Sequence, residues 1–410
     1  MSQQARRQLE EVVLPFWTRN VIDHDFGGFH TCFDNRGRSR VADDKYTWSQ
    51  GRFVWLLARA AHLSRVGLLQ VPGTSPEQLL DWARAGSDFL RDHAVRPDGT
   101  CAFALTRDGS RSIPGQPARS VYADLFTVMG FAEFARVSGE TNWIDQARRI
   151  LDRAVIDIRD GSAPTPPYAI PVGHRAFGPH LILLNALGVF SEAERALTVP
   201  STRDDEVARE LDTVMSFRTG AGPFAEMPPL GGIRGDEADL VTRHRVPGHA
   251  LEAIWIALDA MDLLGDDTHR TAALDSIAPL CELGWDDEFG GLLRYVDRDG
   301  GEPHGTDVGS DYERLVRRTS DTKLWWVHSE ASAVTAIAAS RFGRPECAEW
   351  HERIWKYTLT TFPGGEDGEE WVQIRNRDGS PRDEVVALPV KDPFHIVRNL
   401  MQIVELDSVS

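Results

Sequence analysis

The run Pro247-Gly248-His249-Ala250-Leu251-Glu252-Ala253-Ile254-Trp255-Ile256-Ala257-Leu258-Asp259-Ala260-Met261 decides how the rest of this 410-residue chain is read. A proline at the first position of a helix costs nothing, because the N–H it lacks would have no intrahelical partner there. The turns that follow are apolar nearly all round, the mark of a helix buried on most of its surface. Two residues break the pattern. His249 and Glu252 stand at i and i+3 and share one face, and burying an imidazole with a carboxylate is expensive unless the two are paired or used. Alone, they read as a satisfied core pair; five comparable helix starts elsewhere change that reading.

Helical periodicity recurs along the chain, at about 3–19, 46–66, 75–94, 120–138, 142–158, 175–197, 202–217, 247–264, 268–283, 320–341, 345–362 and 388–405. Connections from an odd helix to the next even one are long and rich in Gly and Asp. Those from even to odd are short, as in Gly139-Glu140-Thr141, Val199-Pro200-Ser201 and Gly265-Asp266-Asp267. Two long connections look like copies of one another. The first is Asp25-Phe26-Gly27-Gly28-Phe29 with Asp34-Asn35-Arg36-Gly37; the second is Glu288-Phe289-Gly290-Gly291-Leu292 with Asp297-Arg298-Asp299-Gly300. Each reads as a turn, a short alternating strand and a second turn. A recurring helix–loop–helix unit of roughly sixty to seventy residues implies a closed or stacked helical array. Six units suit an all-α ring in which inner helices line a cavity, outer helices shield them, and short β-hairpins sit in the long loops at one end. No linker divides the chain, so residues 1–410 are expected to form one domain.

The polar residues near the starts of the even helices are then in phase. They are Arg52, Tyr122 with Asp124, His180, His249 with Glu252, Lys323 before Trp325 and Trp326, and His395. If the inner helices run parallel, all six starts meet at one end of the cavity. Histidines are the natural general acids and bases near neutral pH. A carboxylate three residues from one of them can orient it or raise its basicity. Arg52 and Lys323 could stabilise a developing oxyanion, and Trp and Tyr faces suit the C–H surface of a sugar.

Composition narrows the class. A net charge of −17 without a basic cluster argues against nucleic acid or an anionic membrane surface as partner. No apolar run is long enough for a membrane span, and the N-terminus lacks a signal-peptide core. A soluble cytoplasmic protein is expected. Cys32, Cys101, Cys281 and Cys347 are scattered, which excludes a zinc ribbon and argues against a disulfide framework. HExxH is absent, so no metal is expected, and no phosphate-cradling or dinucleotide fingerprint implies a cofactor.

The chain resembles the N-acylglucosamine 2-epimerase superfamily, which also holds cellobiose 2-epimerases and mannose or sulfoquinovose aldose–ketose isomerases. The resemblance runs nearly end to end. It is carried by Leu14-Pro15-Phe16-Trp17, both Phe-Gly-Gly loops, Gly51-Arg52, Pro247-Gly248-His249…Glu252, Lys323…Trp326-Val327-His328…Glu330 and Pro393-Phe394-His395…Arg398. It implies an (α/α)6 barrel of six helical hairpins, acting without a cofactor on the open-chain form of an unphosphorylated aldose. One histidine would remove the C2 proton to give a cis-enediolate. A second would return a proton to the opposite face of C2 in an epimerase, whereas an isomerase delivers it to C1.

By motif position the resemblance makes His249 and His395 the acid/base pair, has Glu252 orient His249, and places Arg52 at O1 and O2. His180 matches the family's third, sugar-contacting histidine; Tyr122, Asp124, Lys323, Trp325 and Trp326 would complete the substrate pocket. Cellobiose 2-epimerases carry a Trp five residues before the last histidine, where this chain has Val390; Ala176 and Pro179 replace an Asn and a Met before His180. Both departures favour a monosaccharide, such as glucose, mannose or an N-acetylhexosamine, as the small-molecule partner. The reading leaves open a homodimer, a mannose-type aldose–ketose isomerase, a glycoside hydrolase or lyase on the same barrel, and a carbohydrate-binding protein without turnover.

Overall fold

The computed structural model describes residues 1–220, 222–235, 237–364, 369–384 and 389–408. The chain opens with α1 (Ser2–Arg7), a π-helical turn over Gln8–Val13, and α2 (Leu14–Asn20). Pro15 fits this arrangement: its ring crowds the carbonyl one turn earlier, and a wider π turn makes room for it. Then follow α3 (Thr47–Arg65), α4 (Pro76–Phe89), α5 (Val121–Ser138), α6 (Asn142–Arg159), α7 (Phe177–Ala196) and α8 (Asp204–Met215). After the short α9 (Leu240–Arg243) come α10 (Pro247–Leu264), α11 (Arg270–Gly284), α12 (Asp311–Thr319), α13 (Trp325–Phe342), α14 (Pro345–Thr361) and α15 (Phe394–Glu405).

Helices α3, α5, α7, α10, α13 and α15 form a closed ring, each packed on the next and α15 back on α3. Around them α4, α6, α8, α11 and α14 each lie on the inner helix that precedes them, and α1 lies on α15. This is the (α/α)6 barrel. Its sequence logic is visible in burial: α10 and α13 are buried on nearly every face, whereas α6 buries one stripe, Trp143, Ile144, Ala147, Ile150, Leu151 and Ala154. The closest crossing is α3 on α5. A Cβ on Gly51 would lie 2.4 Å from the Phe126 carbonyl oxygen, and one on Gly130 2.7 Å from that of Gly51. The short connections turn at left-handed Gly139 and Gly265, the residues that end α5 and α10.

Among the described residues, three two-residue antiparallel pairings hold the entries of the inner helices α3, α10 and α13. They join β1 (Lys45–Tyr46) to β2 (Ala104–Leu105), β3 (His244–Arg245) to β4 (Val296–Asp297), and β5 (Lys323–Leu324) to β6 (Ile374–Arg375). The strands thus pair between loops; within a loop there are single bridges, such as Phe33 with Arg40 and Trp285 with Leu292. The two Gly-Gly copies are structural copies as well. Gly27 and Gly28 (φ 73° and 68°) and Gly290 and Gly291 (φ 72° and 78°) adopt the left-handed turn that side chains resist. Buried Lys45 binds Asp23 at 3.0 Å and the Gly27 carbonyl; buried Lys323 binds Asp286 at 3.0 Å and the Gly290 carbonyl. Arg107 and Arg377 close the two clusters from outside.

Two helix starts and two short helices differ from the sequence expectation. α13 starts at Trp325 rather than 320, because Lys323 is drawn into β5 and the Gly290 turn. α15 starts after Pro393, since the residue before a proline avoids the helical region; Leu388, the start expected for it, lies outside the described residues. Neither α9 nor α12 is among the expected helices, although the α12 capping box, Ser310 with Glu313, is legible in the sequence. Among the described residues no helix is long and apolar enough to cross a membrane, and all four cysteines are free and buried.

Candidate active site

The N-terminal ends of the inner helices surround a cavity of about 540 Å³, within the usual range for small-molecule sites. Of the residues expected from sequence, Arg52, Tyr122, His249, Glu252, Trp325, Trp326 and His395 line it. Glu226, Arg294 and Asp392 join them.

His249 stands in the first turn of α10, which Pro247 opens. Its Nδ1 lies 3.0 Å from Glu226 Oε1, and its ring stacks on Trp326 with centroids 4.9 Å apart. Burial disfavours the imidazolium, but the charge and hydrogen bond of Glu226, helped by Glu252, outweigh it and raise the pKa above the ordinary value. Nε2 takes no hydrogen bond among the described residues, and the side chain is 34% exposed towards the cavity.

His395, in the first turn of α15, is set the other way. Its Nδ1 lies 2.6 Å from Glu330 Oε1, and its ring packs on the same Trp326 at 5.8 Å. Burial opposes its protonation; Glu252 favours it, while Arg52 and Arg398 oppose it. The pKa is pushed down to about 3 and the ring is neutral. Arg52 Nη2 is 3.4 Å from His395 Nε2, and Arg52 Nη1 donates to Asp392 Oδ2 at 2.5 Å. The guanidinium carbon lies over the Phe126 ring, 4.0 Å from its centroid.

Glu252 does not orient His249. It shares that face of α10 but reaches towards α15, where Arg398 Nη2 donates to Glu252 Oε1 at 2.6 Å and to Glu330 Oε1 at 2.7 Å. The buried arginine is the stronger partner, and Glu226 takes the place at His249. Glu252, Glu330 and His395 offer donor atoms within 4.8 Å of one another, a spacing that could hold a metal ion. Arg398 Nη2 already stands among them, 3.4 Å from His395 Nδ1, and supplies the positive charge there.

Three expected residues lie off the cavity wall. Asp124 is two residues beyond Tyr122 and therefore points the opposite way on α5. It accepts the Cys101 N–H at 2.6 Å, and burial raises its pKa to about 7. His180 likewise turns away from the cavity residue Gly178, towards α8, with Nδ1 2.6 Å from Glu210 Oε1 and its ring beside Phe217. Lys323 precedes its helix and is fully buried on Asp286 and the Gly290 turn.

Glu226 lies in the loop between α8 and α9, where no periodicity or motif marks it. Glu330 and Arg398 were visible, as members of the same motifs as Trp326 and His395, but nothing local tells an ion pair from a surface charge. Arg294 sits in the second Gly-Gly copy, where the first copy offers Thr31.

The family model of N-acylglucosamine 2-epimerase (GlcNAc 2-epimerase) matches residues 27–398. The N-acylglucosamine 2-epimerase of Bos taurus is 31% identical over 409 residues, covering 98% of this chain and 89% of its own. Among solved structures, the cellobiose 2-epimerase of Bacillus thermoamylovorans is similar over 98% of both chains, with a TM-score of 0.77 at 19% identity. A D-mannose isomerase matches with a TM-score of 0.73 at 14% identity, over 98% of this chain and 97% of its own.

Proposed function

The chain belongs to the N-acylglucosamine 2-epimerase family, an isomerase family, and we propose that it inverts C2 of the open-chain form of an unphosphorylated monosaccharide. One observation carries the reading. Two imidazoles from different helices flank Trp326 at one cavity, one favouring the proton and one neutral. In the direction this charge state serves, His395 takes the C2 proton through Nε2, the electron pair moves into the C1 carbonyl, and the charge appears on O1. Arg52, beside His395 Nε2, stabilises that oxygen. His249 then gives its Nε2 proton to the opposite face of C2, and the carbonyl reforms. The two histidines have exchanged charge states, which is the state the reverse reaction needs.

Glu330 and Glu226 fix Nδ1 of each ring, so Nε2 is the working atom in both. Tyr122, Trp325 and Trp326 supply apolar wall for the sugar's C–H faces. Val390 lines the cavity where cellobiose 2-epimerases place a Trp, which supports a monosaccharide of the glucose, mannose or N-acylhexosamine type. A hydrolase would need two free carboxylates flanking a bond; Glu252 and Glu330 are both engaged by Arg398, and Asp124 is off the wall. We further propose the whole chain as one catalytic unit, since Arg52 and His395 meet across 343 residues.

Incubation of unmodified aldoses in deuterated water, followed by NMR, tests the reaction. Deuterium at C2 of the inverted aldose is the expected result. Accumulation of ketose would replace epimerisation by aldose–ketose isomerisation, and absence of exchange on every aldose would remove the proposal.

A further inference from the structure

We propose that the barrel holds a second ligand site, in the cavity at the end opposite His249 and His395, and that it takes an aliphatic amine carrying hydroxyl groups. The inference does not depend on the reaction assigned to the first cavity.

From their middles to their C-terminal ends the inner helices surround a second cavity, of about 550 Å³. Two layers of side chains line it. Trp55, Met129, Ile256 and Met401 form an inner, apolar layer; Arg59, Glu133, Asp259 and Glu405 follow three or four residues later on the same helix faces. Helix α7 adds Asn185 to the inner layer and Glu192 to the outer one. Arg398 lies between the two cavities: its Nη2 holds Glu252 and Glu330 on one side, and its Nη1 reaches Asn185 on the other.

The outer layer is short of positive charge. Arg59 lies 2.7 Å from Glu405 and 3.7 Å from Glu133, which Arg136 also holds at 2.6 Å. Arg341 binds Asp262 and stands 3.8 Å from Asp259. Glu192 has no ion pair among the described residues. Burial and the charge of Glu192 raise the Asp259 pKa to about 7, and the carbonyl ends of the inner helices add negative potential. Among the described residues these carboxylates do not bring three donor atoms to metal-ligating distance of one another. The deficit is spread over a wall, which suits an organic ammonium better than a compact metal ion.

Asn185 sets a second, separate requirement. It is 7% exposed, and its Oδ1 accepts from Arg398 Nη1 at 3.4 Å. That turns Nδ2 away from the arginine, and Nδ2 makes no hydrogen bond among the described residues. A buried amide donor without an acceptor is costly, and the cavity that Asn185 lines is where an acceptor can enter. An ammonium cannot accept a hydrogen bond, but a hydroxyl oxygen can. An amine with hydroxyl groups on a carbon chain therefore answers the carboxylates, the amide and the apolar inner layer together.

The test is calorimetric titration at pH 8, where Asp259 is ionised, of wild type and E192Q/D259N with three six-carbon probes. These are 1-amino-1-deoxyglucitol, its neutral counterpart glucitol, and n-hexylamine, which lacks the hydroxyl groups. Wild type is expected to bind the amino polyol at least about tenfold more tightly than either of the others, the usual effect of one charge-assisted hydrogen bond. The double variant, checked for folding by its melting temperature, should lose most of the preference over glucitol. The single variants E192Q and D259N, each expected to lose part of it, decide the matter if the double variant does not fold. A preference unchanged within threefold in the folded variants would place the amine elsewhere, the aldose cavity included, and overturn the site. Equal binding of glucitol or of hexylamine by wild type, or no binding of the amino polyol, would overturn the ligand class.

Discussion

Glu226 and Glu330 hold the same ring atom, Nδ1, on His249 and His395, at 3.0 and 2.6 Å, yet the two rings differ in charge preference. The difference comes from what else is near. Around His249 the carboxylates Glu226 and Glu252 prevail; around His395 burial and two guanidiniums do. Replacing either histidine by alanine is expected to lower C2 exchange by about 10³-fold, within the range for general acid–base groups, with thermal melting confirming a folded protein. Near-normal turnover in either variant would remove that histidine from the mechanism. Glu226→Gln tests the charge assignment. Because Glu226 raises the His249 pKa, neutralising it lets that ring lose its proton at lower pH. In the direction in which His249 donates, the alkaline limb of kcat/KM against pH should therefore move towards acid. An unmoved limb would contradict the assignment.

The two Gly-Gly turns show one element built twice with different side chains. In the first copy Gln50 Oε1 accepts the Phe29 N–H at 2.7 Å; in the second, His328 Nε2 accepts the Leu292 N–H at 2.9 Å. Only a neutral imidazole can accept that bond, and burial pushes the His328 pKa down to about 3. The unfolded chain binds a proton here below the model-peptide value of 6.5 and the folded chain does not. This contribution to stability is therefore complete above 6.5 and is lost as pH falls towards 3, at up to about 1.4 kcal/mol per pH unit. His328→Gln copies the first turn. It is expected to melt near the wild type at pH 7.5 and to lose less stability between pH 6.5 and 5, as read by denaturant titration at each pH. Equal acid sensitivity in both proteins would show that the histidine is not the titrating group. Lys323 belongs to this same element. Its place next to two cavity tryptophans suggests substrate contact, but the structure makes it the twin of Lys45, each lysine held by the aspartate and the first glycine carbonyl of its own turn.

The ring closes between the ends of the chain, α15 on α3, and the cavity depends on that closure because Asp392 and His395 meet Arg52 there. The tight α3–α5 crossing at Gly51 sets where α3, and so Arg52, stands. Gly51→Ala puts a methyl against the Phe126 carbonyl of α5, a clash the backbone can relieve only by moving the helices apart. Overpacking of this kind costs about 1–3 kcal/mol. The expected outcome is a melting temperature lower by a few degrees and reduced C2 exchange even where the variant is fully folded. Unchanged melting and exchange would show that the crossing has slack.

The twelve helical periods, the short turns ending in glycine, the doubled Gly-Gly loop and the two motif histidines could all be read along the chain. Each rests on a repeat or a local rule of backbone geometry, and periodicity survives without knowledge of any neighbour. Which carboxylate serves which histidine could not be read. His249 and Glu252 are one turn apart, but Glu252 finds Arg398 from another helix, and Glu226 arrives from a loop with no pattern of its own. The facing of Asp124, His180 and Lys323, all near helix starts but turned from the cavity, was equally a matter of packing. Charge pairing and side-chain direction depend on distances in space, and residues far apart in the sequence come within reach of one another only when the ring is closed.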